Sequence, residues 1–373
     1  MPKIKSTYQP YTHRKKLLLC LTVLTVVLSA CGGKTSMYRG DSSHTAVYAE
    51  SGPLTLDSLQ WKYNAADKTY SSPTIADGTI YLGSNDHNLY AIDQATGQLK
   101  WKFKTGGNVE STPATENGII YVGSWDKYMY AIDAETQAVV WKQETKGVIS
   151  SSPIIVDGVL YFASEDGHLY ATDAETGFRK WSFDAGASIY SSPAVYDNTV
   201  FFGTLNGDMF AVNRDTGQEH WRFKTLGKIH SSPAVDANNV YFGCDDKRVY
   251  AVNIHTGQQT WMKKTAGPVL SSPALYNNRV YIGSKDGYIY AYAAEDGVRE
   301  WEYRTEAGVF SPVSVASHTV YASSSDGVLY ALDAGEGTLR WKYKVNSKLY
   351  SAAVVSQGKV YFNSVNGSLF AVK

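Results

Sequence analysis

Cysteine is scarce in this chain of 373 residues, and its placement excludes a disulfide scaffold: Cys20 and Cys31 lie near the start and Cys244 stands alone in the body. Net charge is absent as well, at a formal +0, and no long basic run occurs beyond the first sixteen residues, so bulk electrostatics do not recruit nucleic acid. Helical periodicity is missing from the body of the chain. No second histidine or carboxylate recurs at ligand spacing from His230, which excludes a metal site read from spacing. What the chain has in abundance is repetition.

Trp61, Trp101, Trp141, Trp181, Trp221, Trp261, Trp301 and Trp341 are spaced by 40 residues without insertion or deletion, so eight of the nine tryptophans are one position repeated. Tyr81, Tyr121, Tyr161, Phe201, Tyr241, Tyr281, Tyr321 and Tyr361 keep the same register, as do the alanines from Ala91 to Ala371. Within one copy, residues 71–76, 79–84, 88–93 and 98–103 are short runs, mostly of β-branched and aromatic residues, separated by turn signals. Four hairpin-linked strands fill 40 residues and leave no room for a helix. Asp-Gly pairs at Asp157-Gly158, Asp166-Gly167, Asp286-Gly287 and Asp326-Gly327 suit the positive φ of type I′ turns.

A single four-stranded meander cannot bury both faces, so copies must stack, and the period points to a propeller. An open solenoid would need capping units, and none is visible. The phase of the repeat predicts closure. The chain ends at Lys373, after the third strand of its last copy, while Leu59 to Asn64 is a lone Trp-bearing fourth strand with no first three before it. The expected fold class is all-β: an eight-bladed β-propeller of four-stranded antiparallel blades, closed by an N-terminal outer strand that pairs with the C-terminal blade.

The segment Ala-x-Asp-x-x-Thr-Gly-x-x-x-Trp, at Ala91 to Trp101 and Ala171 to Trp181, resembles the tryptophan-docking motif of PQQ-type propellers. The resemblance covers roughly residues 38–373 and implies that fold. Departures occur at Gln137, Ala293, Asp296, Ser311-Pro312-Val313 and Ser351-Ala352-Ala353, where weaker docking of single blades is expected.

Ahead of the repeat, His13-Arg14-Lys15-Lys16 and the apolar run Leu17 to Leu28 read as a signal peptide, the run being too short for a mature membrane span. Leu28-Ser29-Ala30-Cys31 resembles a bacterial lipobox, which implies acylation at Cys31, a palmitate-type lipid anchor and, with Gly32 rather than Asp following, sorting to the outer membrane. The domain reading is therefore 1–30 a cleaved lipoprotein signal peptide, 31–57 a lipidated tether, and 58–373 the propeller. Within the tether, Tyr38 to Thr45 resembles the Arg-Gly-Asn/Asp-x-x-His-Thr segment that precedes PQQ-type propellers, and it is expected to pack across the ring.

Catalysis finds little support. PQQ-dependent dehydrogenases share the fold but, by resemblance, need long insertions, carboxylate metal ligands and a Trp floor, whereas this chain has no insertion in eight copies and one non-repeat Trp, Trp125. Asp86, Asp126, Asp166, Asp246, Asp286 and Asp326 recur as turn residues, a structural role. Cys244, in the column of Ser84, Ser124 and Ser164, reads as a small buried strand residue.

Variation inside the repeat marks a candidate binding ring at one mouth of the central channel. One column contains Tyr70, Glu110, Tyr190, His230 and Tyr350, and another, two residues earlier, contains Lys68, Lys228 and Lys348. Aromatics beside basic groups suit peptide or anionic ligands. An uninterrupted eight-bladed propeller behind a lipobox resembles the BamB-like lipoproteins. That implies a non-catalytic, periplasm-facing scaffold with protein partners in the barrel assembly machinery and no cofactor. The alternatives are a PQQ-binding quinoprotein and a propeller that binds a small ligand or polysaccharide.

Overall fold

The eight copies fold as eight blades around one axis. The computed structural model describes residue 2 and residues 36–373; the lipobox reading at residues 28–31 lies outside them. Blade 1 consists of Thr74–Ala76, Thr79–Gly83, Asn88–Asp93 and Leu99–Lys104, paired antiparallel in chain order, and the same order recurs through blade 7 at Ser314–Ala316, Thr319–Ser323, Val328–Asp333 and Leu339–Lys344. Blade 8 has three strands of its own, Val354–Ser356, Lys359–Asn363 and Ser368–Val372. Its fourth is Leu59–Asn64 (β2), paired as Trp61↔Ala371 and Tyr63↔Leu369. Closure therefore occurs where the phase of the repeat places it.

The core lies between blades, in eight clusters that each join two neighbours, including one that packs Ile80, Leu82 and Tyr90 of blade 1 on Tyr361, Leu369 and Ala371 of blade 8. The alanine column has a steric cause. Ala91 lies opposite Tyr81 on one side and Trp101 on the other, and those two rings meet across it with centroids 5.9 Å apart. The arrangement repeats in every blade at 5.7–5.9 Å, so a side chain larger than a methyl at this column would collide with one ring or the other.

Each docking tryptophan reaches the next blade. The Trp221 indole Nε1 donates to the Ile254 carbonyl at 2.8 Å, and its ring lies against Gly257, where an added Cβ would come within 2.8 Å. Trp341 donates to the Pro53 carbonyl at 2.9 Å, in the segment that leads into β2. Residues 53–64 thus supply the turn of the last blade as well as its outer strand. Asp57 and Ser58 tie that turn down by donating to the Lys373 carbonyl at 2.7 and 2.9 Å.

Three details differ from the sequence reading. The innermost strand of blade 1 starts at Thr74 rather than residue 71, because Pro73 has no N–H and the Ser72 N–H bonds the Thr112 hydroxyl of the next blade at 2.9 Å. The turn at Asp157-Gly158 has positive φ at both residues, as type I′ requires. At Gly167, Gly287 and Gly327 only the glycine is left-handed, because the connection is longer and is closed by bonds such as Gly167 N–H to the Ser164 carbonyl at 3.1 Å. The departures Pro312 and Ala352 lie on the channel wall. Six junctions are linked by a backbone N–H to a neighbouring hydroxyl, from Ser72 to Thr112 round to Ser232 to Ser272 and from Ala352 to Ser72. Pro312 offers neither donor nor hydroxyl and interrupts that ring.

Candidate functional site

The periodic carboxylates come first, since they are the obvious candidates for chemistry. Each is committed to structure. Asp166 Oδ2 accepts the Tyr170 hydroxyl at 2.8 Å and the Lys146 backbone N–H at 2.9 Å, and Oδ1 accepts the His168 N–H at 3.0 Å. Tyr130, Tyr250, Tyr290 and Tyr330 bond Asp126, Asp246, Asp286 and Asp326 likewise at 2.6–3.0 Å, and Tyr90 bonds Asp86. Where the column changes, both partners change together: Asn206 stands with Phe210 and Asn366 with Phe370. A ring without a hydroxyl needs no carboxylate. Although burial raises the pKa of Asp86 and Asp166, the hydrogen bonds they accept outweigh it and hold both below the usual carboxylate range.

The central channel is blocked at one end. Residues 36–48 cross it at the end where the first and second strands of each blade turn, and they occupy free backbone N–H groups of the innermost strands. Ser36, Ser42, Ser43, Thr45 and Ala46 offer carbonyls to the N–H groups of Thr115, Val195, Val235, Leu275 and Val315 at 2.7–2.9 Å, across blades 2, 4, 5, 6 and 7. Val47–Tyr48 (β1) then runs parallel to the first strand of blade 7. Arg39 is buried and donates to the carbonyls of His44, Ser272 and Pro273. Asp41 folds the segment by accepting from the Ser43 and Thr45 N–H groups at 2.9 and 3.1 Å. The expectation that this stretch packs across the ring holds. The Arg-Gly-Asp tripeptide is spent on that packing.

Above this plug lies a cavity of about 560 Å³, floored by Tyr38 and lined by the column Tyr70, Glu110, Ser150, Tyr190, His230, Leu270, Phe310 and Tyr350, one residue from each blade. The predicted ring members of this column are thereby brought together. Lys68, Lys228 and Lys348 are not: they stay exposed on the rim. The residues between the two columns, Thr69, Ile229 and Leu349, are buried in the blade junctions, and the chain there is outside any strand, so the alternation of a strand does not hold the two columns on one face.

The cavity has two unlike walls. Phe310, Tyr350 and Tyr70 form an aromatic arc, with Phe310 edge-on to Tyr350 at 5.5 Å and Tyr70 nearly parallel to Tyr350 at 6.3 Å and 16°. Next to Tyr70 in the ring Glu110 accepts from Asn85 at 3.3 Å, and on the following blade Ser150, across the channel from Phe310, takes the Trp125 indole N–H at 3.1 Å and donates to Glu165 at 2.9 Å. Tyr190 lies edge-on to His230 at 5.7 Å, and His230 Nε2 is 3.5 Å from Asp245. Burial, and after it the Glu165 carboxylate, hold Glu110 above the usual carboxylate range despite the bond from Asn85. Burial, with Glu110 and Glu165 adding to it, raises the Tyr190 phenol. His230 is held below its usual value by burial, which outweighs Asp245.

PQQ is a tricarboxylate and would need cations in such a site. No lysine or arginine lines this cavity, and Glu110 would oppose the ligand's charge. Among the described residues no group of three or more His, Cys, Asp or Glu could hold a metal ion. The residues present do not fit PQQ. Cys244 is fully buried in the strand Asn239–Cys244, with its thiol 3.4 Å from the Thr225 hydroxyl and pushed up to about 11 by burial, as suits a packing residue. No helix among the described residues is long and apolar enough to cross a membrane.

Comparison with known proteins places this architecture. The family model of the beta-alanine-activating enzyme β-propeller matches residues 26–233, more than half of the chain. The chain belongs to this propeller family. The model of outer membrane protein assembly factor BamB matches residues 206–373, so the repeat is of the BamB-like, PQQ type. Among solved structures, BamB from Moraxella catarrhalis aligns with a TM-score of 0.73 at 16% identity over 85% of this chain and 97% of its own. The quinohemoprotein alcohol dehydrogenase from Comamonas testosteroni aligns at 0.78 and 15% identity over 90% of this chain and 80% of its own. The computationally designed protein Ika8 aligns at 0.75 and 17% over 88% and 98%. At such identities the likeness is one of fold, shared by an assembly factor, a dehydrogenase and a designed protein alike. No curated protein sequence matches the chain.

Proposed function

We propose that this protein is a non-catalytic, BamB-like scaffold: an outer-membrane lipoprotein, anchored by lipid at Cys31 and facing the periplasm, that binds protein partners during the assembly and insertion of outer-membrane β-barrels. The observation that carries the non-catalytic reading is the commitment of the periodic carboxylates to tyrosine hydroxyls and backbone N–H groups, which gives each of them a structural role in its blade. The BamB match over residues 206–373 and the lipobox-like Leu28-Ser29-Ala30-Cys31 support the location and the kind of partner.

Pull-down from detergent-solubilised membranes tests the reading, with barrel-assembly components expected in the eluate. Dye reduction after adding PQQ and Ca²⁺ should stay at the buffer rate, and a stoichiometric quinone complex would replace the scaffold reading with the quinoprotein one. Anchoring has its own test. Cys31→Ala is expected to move the protein from the membrane to the soluble fraction and to abolish palmitate labelling, since lipid is its proposed anchor. A variant that stays with the membrane would contradict that.

A further inference from the structure

The two walls of the central cavity carry an assignment of ligand class. We infer that the channel mouth binds an organic cation, an ammonium or guanidinium group held by the Glu110 carboxylate and the adjoining aromatic arc of Phe310, Tyr350 and Tyr70.

The polar wall holds uncompensated negative charge. Glu110 lines the cavity, Glu165 stands behind Ser150, and neither has an ion-pair partner among the described residues; the single polar contact to Glu110 is the neutral Asn85 amide at 3.3 Å. Asp245, beside His230, keeps one buried carboxylate oxygen without a hydrogen-bond partner. Half-buried carboxylates bonded only to neutral groups pay a desolvation cost that a cation would offset. Burial raises both Glu110 and Tyr190, and neighbouring carboxylates add to it in each case.

The aromatic wall, which adjoins Glu110 at Tyr70, suits the same ligand. Three contiguous blades present rings whose faces carry partial negative charge, and a cation near such faces gains most where water is restricted. An anion would meet the Glu110 carboxylate with no lysine or arginine in the lining to offset it. The exposed lysines of the rim lie in water, where salt screens them over about 8–10 Å, and no ammonium of theirs lines the cavity. A volume of about 560 Å³ admits a small molecule or one side chain of a peptide, and it excludes a folded partner.

This assignment rests on the cavity and not on the scaffold role, so either can fail alone. Titration calorimetry on the propeller with choline, with spermidine and with the capped residue N-acetyl-arginine-amide reads it, and glutarate serves as the anionic control. At least one of the three cations is expected to bind the intact protein. Glu110→Gln and Tyr350→Ala, each verified as folded by its circular dichroism, should each weaken that binding at least tenfold. Glutarate should not bind. Tighter binding of the arginine derivative would identify a peptide side chain as the source of the cation, and tighter binding of choline or spermidine a free amine. Failure of all three cations, equal binding by Glu110→Gln, or binding of glutarate overturns the assignment.

Discussion

Trp61→Ala is expected to cost about 3 kcal/mol, the low end for a half-buried tryptophan, and to loosen both ends of the described chain at once. Its indole donates to the Gln94 carbonyl at 3.2 Å, lies against Gly97 and meets the Tyr361 ring at 5.9 Å, so it holds β2 to blades 8 and 1 together. Elsewhere in the ring an outer strand is continuous with its own blade. Here Leu59–Asn64 meets Ser368–Val372 only through hydrogen bonds and packing. Trp221→Ala removes a ring of the same kind, bonded to Ile254 and set over Gly257, from a strand that its blade retains covalently. Trp61→Ala should therefore add protease cleavage near residues 53–64 and near the C-terminus, and it should form oligomers through the freed edge of blade 8. Trp221→Ala should lose comparable stability without either effect. Limited proteolysis and light scattering on the two variants decide it: equal loosening of the termini by Trp221→Ala would refute the closing role of Trp61.

Much of this was legible because the chain carries eight copies of itself. Comparing copies separates packing from everything else: Ala91 and its equivalents are invariant since two rings flank them, while the column of Tyr70 and Glu110 varies since it faces a cavity. The pairing of Asp with Tyr and of Asn with Phe was also present in the sequence, in two columns that change together, and it explains the carboxylates more fully than a turn role alone. The lysines stay on the exposed rim while Tyr70 faces the cavity, because a column's spacing gives its phase within the loop and not its direction. Residues 36–57 have no second copy to compare with. Pro53 as the acceptor for Trp341, and Arg39 as the donor to three carbonyls, follow from where the chain runs.

Acid should release residues 36–48 from the channel before it opens the blades. His44 is fully buried, and its Nδ1 lies 3.2 Å from the Pro233 carbonyl, an acceptor, so that nitrogen carries the proton; Nε2 is buried without a partner. Burial, with the Arg39 guanidinium adding to it, pushes the imidazole from its usual 6.5 down to about 3. Tyr38 faces the ring edge-on at 5.3 Å, and the Asp41 carboxylate is turned to Ser43 and Thr45. A released segment would protonate at the usual value, so the undocked form binds more protons between the two values. Docking is at full strength above pH 6.5 and weakens as pH falls toward 3, by about 1.4 kcal/mol per unit and on the order of 2–3 kcal/mol by pH 4.5. The blade carboxylates Asp86 and Asp166 respond to acid with the same sign but in a lower window. Their lowered values stabilise the ring above the usual carboxylate range, and that stability is lost only as pH falls below it. The two windows separate. Hydrogen exchange at pH 7.5 and 4.5, corrected for intrinsic rates, should show residues 36–48 losing protection while the strands of blades 2 to 7 keep theirs, and His44→Gln, which can still donate to Pro233, should remove the difference. Unchanged protection of 36–48 at pH 4.5, or the same loss in His44→Gln, would show that this histidine does not control the plug.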